Sequence, residues 1–217
     1  MKRRAAVLFS GRGSNMAALI AAAAAPGYPA EIALALTNEP AAGGLAIAAD
    51  AGIPATVQDH RAFGRDRAAH ETAIADALDG AEIEFVCLAG YMRLLTPLLV
   101  GRFRGRMLNI HPSLLPAFPG LHTHERALAA GVKLHGATVH LVTERVDDGP
   151  ILAQAAVPVR ADDTPGTLAA RVLVQEHVLY PFALGLIASG AKGVDAPADA
   201  VLCNPTRRSL ASVERGP

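Results

Sequence analysis

The sequence predicts an α/β fold with a mostly parallel sheet and antiparallel strands added in its C-terminal half. Three observations predict it. Short apolar runs alternate with helical segments through the first half of the chain. Those runs are hydrophobic throughout rather than at every second residue, the pattern of strands covered on both faces. After Gly136 two strand-like runs follow one another across a polar turn with no helix between them. A pair joined so directly enters a sheet antiparallel.

The elements follow in order. AAVLFS, residues 5–10, reads as the first buried strand. A glycine-rich turn leads to a helix from about residue 15 to residue 25, ended by Pro26. Its run ALIAAAAAP suits a helix because alanine has the highest helix propensity. EIALALT is a second buried strand, residues 45–51 a short helix and IPATV a third strand. Residues 65–78 have helical composition. EFVCLAG is a further buried strand ending in the turn GYMRLLTP, and RMLNIH is the next. GATVHLV and PILAQAAVPV form the antiparallel pair around TERVDDG. A long helix is expected from residue 164 to about residue 188, capped by Asp163 or Thr164. Strands alternating with helices make a Rossmann-like sheet flanked by helices. The reading assigns residues 1–190 to a single domain and residues 191–217 to a tail packed on it or loosely attached.

The chain has 217 residues, with 20 basic and 20 acidic side chains and zero formal net charge. That length carries a sizeable core. The balance argues against disorder and against a nucleic-acid binder held by a bulk positive field. Cys87 and Cys203 make no disulfide framework, and a reducing compartment fits them. MKRRAAVLF begins like a signal segment, but its apolar part is too short, and no run reaches membrane-spanning length. The expectation is a cytoplasmic protein with small-molecule partners, no nucleic acid and no membrane. Its oligomeric state is left open.

Three stretches carry chemistry. SGRGSN, Ser10 to Asn15, lies between a buried strand and a helix. Such a turn offers backbone N–H groups and the positive end of a helix dipole to an anion. It lacks the G-K-[ST] of a P-loop, and Met16 stands where a dinucleotide fingerprint needs its third glycine. It is either a phosphate site or a tight connection capped by Ser14 or Asn15. In NIHPSLLP, Asn109 and His111 sit two residues apart on a strand and so share a face, roughly 6.6 Å apart. Strand ends of this kind line the ligand crevice of open α/β sheets. Pro112 stops the strand and confines His111 to extended angles. In ERVDDGP the acids are either turn formers or a carboxylate facing His111, which would fix the tautomer of the ring and favour its charge. No zinc-type spacing is present, so a metal site is not expected, and the lack of a G-x-S-x-G elbow argues against a Ser–His–Asp hydrolase.

LFSGRGSN, LAGYMRLLTP, LNIHPSLLPAFPGLHTH, HGATVHLVTERVDDGPILAQ and RVLVQEHVLYP occur in that order. Together they resemble the phosphoribosylglycinamide formyltransferases, folate-dependent enzymes of the purine pathway, from about residue 5 to residue 190. NIHPSLLP with DxGP is specific to the wider formyltransferase superfamily, and GxGSN points to the glycinamide branch. The resemblance implies transfer of the formyl group of 10-formyltetrahydrofolate, a co-substrate, to the amine of 5′-phosphoribosylglycinamide without a metal. It implies Asn109, His111 and Asp147 as the catalytic trio. Gly13, Ser14 and Asn15 match the phosphate turn, and Glu176 the residue that binds ribose hydroxyls. Arg67, Met92, Arg93, Leu94 and Leu95, together with Asn109, match folate-binding positions, and Thr138 and His140 match supporting ones. One departure stands out. The arginine the family carries a few residues after a phenylalanine falls on Asp66, between Arg65 and Arg67, so the arginine that meets the folate is left open. Arg12 either adds charge at the phosphate or points to water. The alternatives are a deformylase or another formyltransferase using the same folate, or a folate- or nucleotide-binding module without catalysis. The first two would usually carry an added domain.

Overall fold

In the computed structural model, which describes residues 1–190, the strands are β1 (Arg3–Phe9), β2 (Ala30–Thr37), β3 (Ala55–Val57), β4 (Phe85–Leu88), β5 (Met107–His111), β6 (Leu134–Leu141) and β7 (Ile151–Pro158). The helices are α1 (Ser14–Ala23), α2 (Gly44–Asp50), α3 (Arg67–Gly80), α4 (Pro97–Arg102), α5 (Thr123–Ala129) and α6 (Pro165–Ala188). A 3₁₀ turn at His60–Phe63 precedes α3. The tail expected in residues 191–217 lies outside the described residues. All seven strands form one sheet in the order β3-β2-β1-β4-β5-β6-β7. Strands β1 to β5 pair parallel, and β6 and β7 join antiparallel. This is the mostly parallel sheet with an antiparallel C-terminal addition that the apolar runs predict.

The sheet is covered on both faces, which is why its central strands are apolar throughout. Ala5, Val7 and Phe9 of β1 face Met16 and Leu19 of α1 and Leu179, Tyr180 and Leu184 of α6. Ala6 and Leu8 face the other way, toward Ile74 and Leu78 of α3 and Leu99 of α4. Tyr180 is fully buried, and its hydroxyl serves the carbonyls of Leu88 and Leu108 at 3.0 and 3.1 Å. It thereby ties α6 to β4 and β5.

Two helix starts differ from the sequence reading and a third settles between its two candidate caps, each for a local cause. Helix α1 is capped by Gly13 with a left-handed φ of 78° and no side-chain cap, because the Asn15 amide goes to Glu176 instead. Asp66 accepts from the Ala69 N–H at 2.9 Å, so α3 begins at Arg67, two residues later than expected. Thr164 caps α6 in a capping box with Thr167, and Pro165 fills the first turn. Asp163, the other candidate, binds the Arg171 guanidinium at 2.6 and 3.0 Å.

The chain runs outward from β1 to β3, then crosses to β4 on the other side of β1. A topological switch point therefore lies between β1 and β4, where open α/β sheets bind ligands at the carboxyl ends of their strands. The glycine turn leaves β1 there, GYMRLL leaves β4 and NIHPSLLP ends β5. Three separated stretches singled out in the sequence thus emerge side by side.

Candidate active site

Strand pairing sets the first part of the site. In the β5–β6 ladder Asn109 lies opposite His140, and His111 opposite Thr138. Directly opposed residues share a face, so these four side chains occupy one patch. The His140 Nδ1 is 3.0 Å from the Leu141 carbonyl, which only accepts, so that nitrogen carries the proton. Burial, chiefly, lowers the pKa of His140 and favours its neutral form. Its Nε2 is then an acceptor for the Asn109 amide at 3.2 Å. His140 thus fixes which way the Asn109 amide points and leaves that amide a second N–H.

Asp147 completes the patch from the β6–β7 connection. Its backbone is left-handed, with φ 54°. The side chains of His111 and Asp147 are 7% and 8% exposed, and Nδ1 of His111 lies 3.4 Å from Asp147 Oδ2. The other carboxylate oxygen is 3.8 Å from His140 Nε2. The His111 Nε2 faces the Phe118 carbonyl at 3.0 Å. With an acceptor on each side, the doubly protonated ring satisfies both neighbours at once. Asp148 points outward to Arg145 at 3.5 Å, so only one acid of DDGP faces the histidine. Gly149 lets the loop pass close over β6, since a Cβ there would sit 1.7 Å from the Leu141 carbonyl oxygen.

The proline-rich loop after β5 is held at many points. The Thr138 hydroxyl donates to the Ser113 carbonyl at 2.7 Å and accepts from Leu115 N–H and the Gln154 amide, both at 3.0 Å. Gln154 also donates to the Leu115 carbonyl, Ser113 to that of Ala117 and Thr123 to that of Pro112. The loop so fixed presents the Phe118 carbonyl to His111 and the Gly120 N–H to Asp147 at 2.8 Å. Thr138 sits one step back from the trio and holds the loop that holds it.

The glycine turn lies at the α1 start. No side chain caps the first N–H groups of α1, so they are open to an anion. The Asn15 amide donates to Glu176 at 2.7 Å, which joins α1 to the middle of α6, while Asn15 Oδ1 is buried without a partner. Burial, chiefly, raises the Glu176 pKa, and the Asn15 bond opposes it. Gly13 is required twice over: its φ is 78°, and a Cβ would meet the Gly44 Cα at 2.8 Å. A Gly13→Ala variant therefore carries backbone strain of about 1–2 kcal/mol and a backbone clash. It is expected to raise KM for a phosphorylated substrate about tenfold or more with a smaller change in kcat, measured by steady-state kinetics.

On the other flank, Met92 and Leu94 are 70% and 60% exposed, an apolar lip rather than core. Leu95 packs inward against the α3 and α4 side of the sheet, and Arg93 lies between the two exposed residues. The backbone under the lip is fixed. Met92 N–H donates to Ser10 Oγ at 2.8 Å, and Ser10 donates to Asn38 at 2.6 Å. Buried Glu71 accepts from Thr96 N–H and Thr96 Oγ1 at 2.6 Å each and from Leu99 N–H at 3.3 Å. Arg65 and Arg67 are exposed and flank Asp66, which is spent on capping α3. Neither guanidinium has a hydrogen-bond partner among the described residues.

The sequence reading missed Ser10, Glu71, Phe118, Gly120 and Gln154. Gln154 had a signal, since it lies opposite Thr138 in the β6–β7 pair. Phe118 and Gly120 act through backbone atoms, which no side-chain pattern reveals.

A buried carboxylate–imidazole pair thus stands beside an oriented amide, with an uncapped helix start on one flank and an apolar lip on the other. The chain belongs to the formyl transferase family, which matches residues 3–184. Among its relatives is the trifunctional purine biosynthetic protein adenosine-3 of Bos taurus, 49% identical over 190 residues, which are 88% of this chain and 19% of that protein. The chain thus spans about a fifth of the length of such relatives. The phosphoribosylglycinamide formyltransferase of Escherichia coli is 42% identical over 85% of this chain and 86% of its own length. The crystal structure of phosphoribosylglycinamide formyltransferase from Brucella melitensis superposes with a TM-score of 0.84 at 58% identity, covering 88% of this chain and 97% of that one. No described helix is long and apolar enough to cross a membrane. Among the described residues, no group of three or more His, Cys, Asp or Glu side chains is arranged to hold a metal ion.

Proposed function

We propose that this chain transfers the formyl group of 10-formyltetrahydrofolate to the amine of 5′-phosphoribosylglycinamide in purine biosynthesis. The observation that carries the proposal is the convergence of Asn109, His111 and Asp147 between an uncapped helix start and an exposed apolar lip. We assign the reaction to residues 1–190 and to the cytoplasm, with small molecules as partners.

The chemistry follows from the residues. The substrate amine attacks the formyl carbon, a C–N bond forms, and the carbonyl oxygen becomes an oxyanion. The free N–H of Asn109 donates to it, and the positive charge of the His111 ring, held between Asp147 and Phe118, stabilises it from beside. Asp147 balances the imidazolium charge, and the Phe118 carbonyl keeps the far nitrogen of the ring anchored. The tetrahedral centre collapses with cleavage of the bond to the folate nitrogen. A water molecule carries the proton from the attacking amine to that nitrogen. The α1 N–H groups of Gly13, Ser14 and Asn15 receive the phosphate, and Glu176 accepts from the ribose hydroxyls. The pterin lies against Met92, Leu94 and Leu95, with Arg93 and Arg67 toward its polar end.

Glu176 links binding to stability. Its pKa is raised in the folded chain, so the fold favours the protonated carboxyl. That contribution is full below the unfolded pKa and is lost as pH rises through the folded one. Above the folded pKa the ionised group costs stability, a cost that its use in binding explains. Glu176→Gln is expected to raise the melting temperature of the free protein at pH 7–8. The same change is expected to raise KM for the phosphoribosyl substrate about tenfold, the worth of a hydrogen bond to a charged acceptor. Calorimetry and steady-state kinetics check the two effects.

The test of the proposal is an assay of the purified chain with both substrates, with water as the competing acceptor. Formylated glycinamide product with stoichiometric tetrahydrofolate supports it. Free formate with no formylated amine identifies a deformylase instead, and folate binding in calorimetry without turnover identifies a binding module.

A further inference from the structure

Residues 118–121 carry both outer contacts of the Asp147–His111 pair. The Phe118 carbonyl accepts from His111, and the Gly120 N–H donates to Asp147. Phe118, at the start of this short run, and His122, just after its end, have φ of 54° and 57°, left-handed angles that a bulky side chain rarely adopts. Backbone held so persists only when its surroundings fix it. The alternate residues of the run are fixed by one side chain. Nη1 of Arg126, on α5, donates to the Pro119 carbonyl at 2.5 Å and to the Leu121 carbonyl at 3.3 Å. Its guanidinium carbon lies 5.7 Å from the centroid of the Phe118 ring, within cation–π range. The other side of that ring's surroundings is the His135 imidazole, edge-on at 5.9 Å. Four consecutive residues thus alternate between serving the pair and being held by Arg126. No ion-pair partner competes for Arg126 among the described residues.

We infer that Arg126 is a positioning residue for the reaction proposed above, bracing residues 118–121 so that His111 and Asp147 keep their mutual geometry. The inference rests on that functional reading for its kinetic consequence. Its contacts are spent on Phe118, Pro119 and Leu121, so its removal is expected to alter the chemical step and spare binding. Misplacing a catalytic group by about 1 Å costs ~10²-fold. The loop keeps its ties to Thr138, Gln154 and Thr123, so the expected loss is about tenfold.

The test compares the full-length wild type with Arg126→Met and Arg126→Lys. Met keeps the apolar stem and removes the donors; Lys keeps a charge and donors but not the planar fork. The expected result is a kcat about tenfold lower in Arg126→Met, KM for both substrates within about twofold of wild type, and partial recovery in Arg126→Lys. A second readout does not need turnover. The His111 Nε2–H resonance in nitrogen-edited NMR is expected to shift upfield or vanish in Arg126→Met and to return in Arg126→Lys. An unchanged kcat with an unchanged resonance overturns the inference. So does a loss of kcat that merely follows a collapse in melting temperature in both variants. A wild type that transfers no formyl group defeats the functional reading, while the NMR comparison still decides whether Arg126 braces the pair.

Discussion

Replacing Asp147 by asparagine is expected to lower kcat by about 10³-fold while leaving the fold and the affinity for both substrates nearly intact. An Asp→Asn change beside a catalytic histidine in another enzyme class costs ~10⁴. The carboxylate does two things here. It faces the His111 Nδ1 at 3.4 Å, and it is itself held by the Gly120 N–H at 2.8 Å. An amide keeps the shape but supplies no negative charge. If the Gly120 N–H keeps the amide oxygen, that oxygen still faces the His111 ring, and the amide N–H₂ takes the place of the oxygen 3.8 Å from the His140 Nε2, so what the ring loses is the negative charge. The imidazolium loses its counter-charge in a site where His111 is almost fully enclosed. The expected signature is a fall in kcat at unchanged KM, measured with both substrates saturating.

The second large effect is expected at Asn109. Its amide is oriented by His140, which burial keeps neutral and which accepts one N–H at 3.2 Å. In the proposed reaction the remaining N–H donates to the developing oxyanion. Removing one such donor costs ~10²–10³ in rate. Asn109→Ala is therefore expected to lower kcat by about that factor, with the melting temperature within a few degrees of wild type. A near-normal turnover number removes Asn109 from the oxyanion site.

Much of this was legible in the sequence, for identifiable reasons. The parallel strands show because burial on two faces leaves no room for polar residues, as in AAVLF and EFVCL. The antiparallel pair shows because the polar turn TERVDDG is too short for a crossover helix. Asn109 and His111 show because strand periodicity is two, and Pro112 marks where the strand must stop. Other parts were not readable from spacing. Nothing in DDGP distinguishes the acid that turns inward from the one that pairs with Arg145; the resemblance to a family selected Asp147. Glu176 reads as an ordinary helix glutamate until α1 packs against α6 and buries it beside Asn15. The cap of α1 was expected at Ser14 or Asn15 and fell on Gly13, because a tertiary bond claimed the asparagine. The loop groups at Phe118 and Gly120 act through main-chain atoms, and main-chain direction is fixed only by the ties of Thr138, Gln154 and Arg126.

The central claim is that Asn109 and the Asp147-supported His111 act together on one developing negative charge. Single-turnover formyl transfer by Asp147→Asn, Asn109→Ala and the combined variant tests it most directly. Groups that serve one transition state as a unit lose their effect together, so the combined variant is expected to be only slightly slower than the slower single variant. Losses that multiply in full, or a combined variant that still turns over near the wild-type rate, would contradict the account.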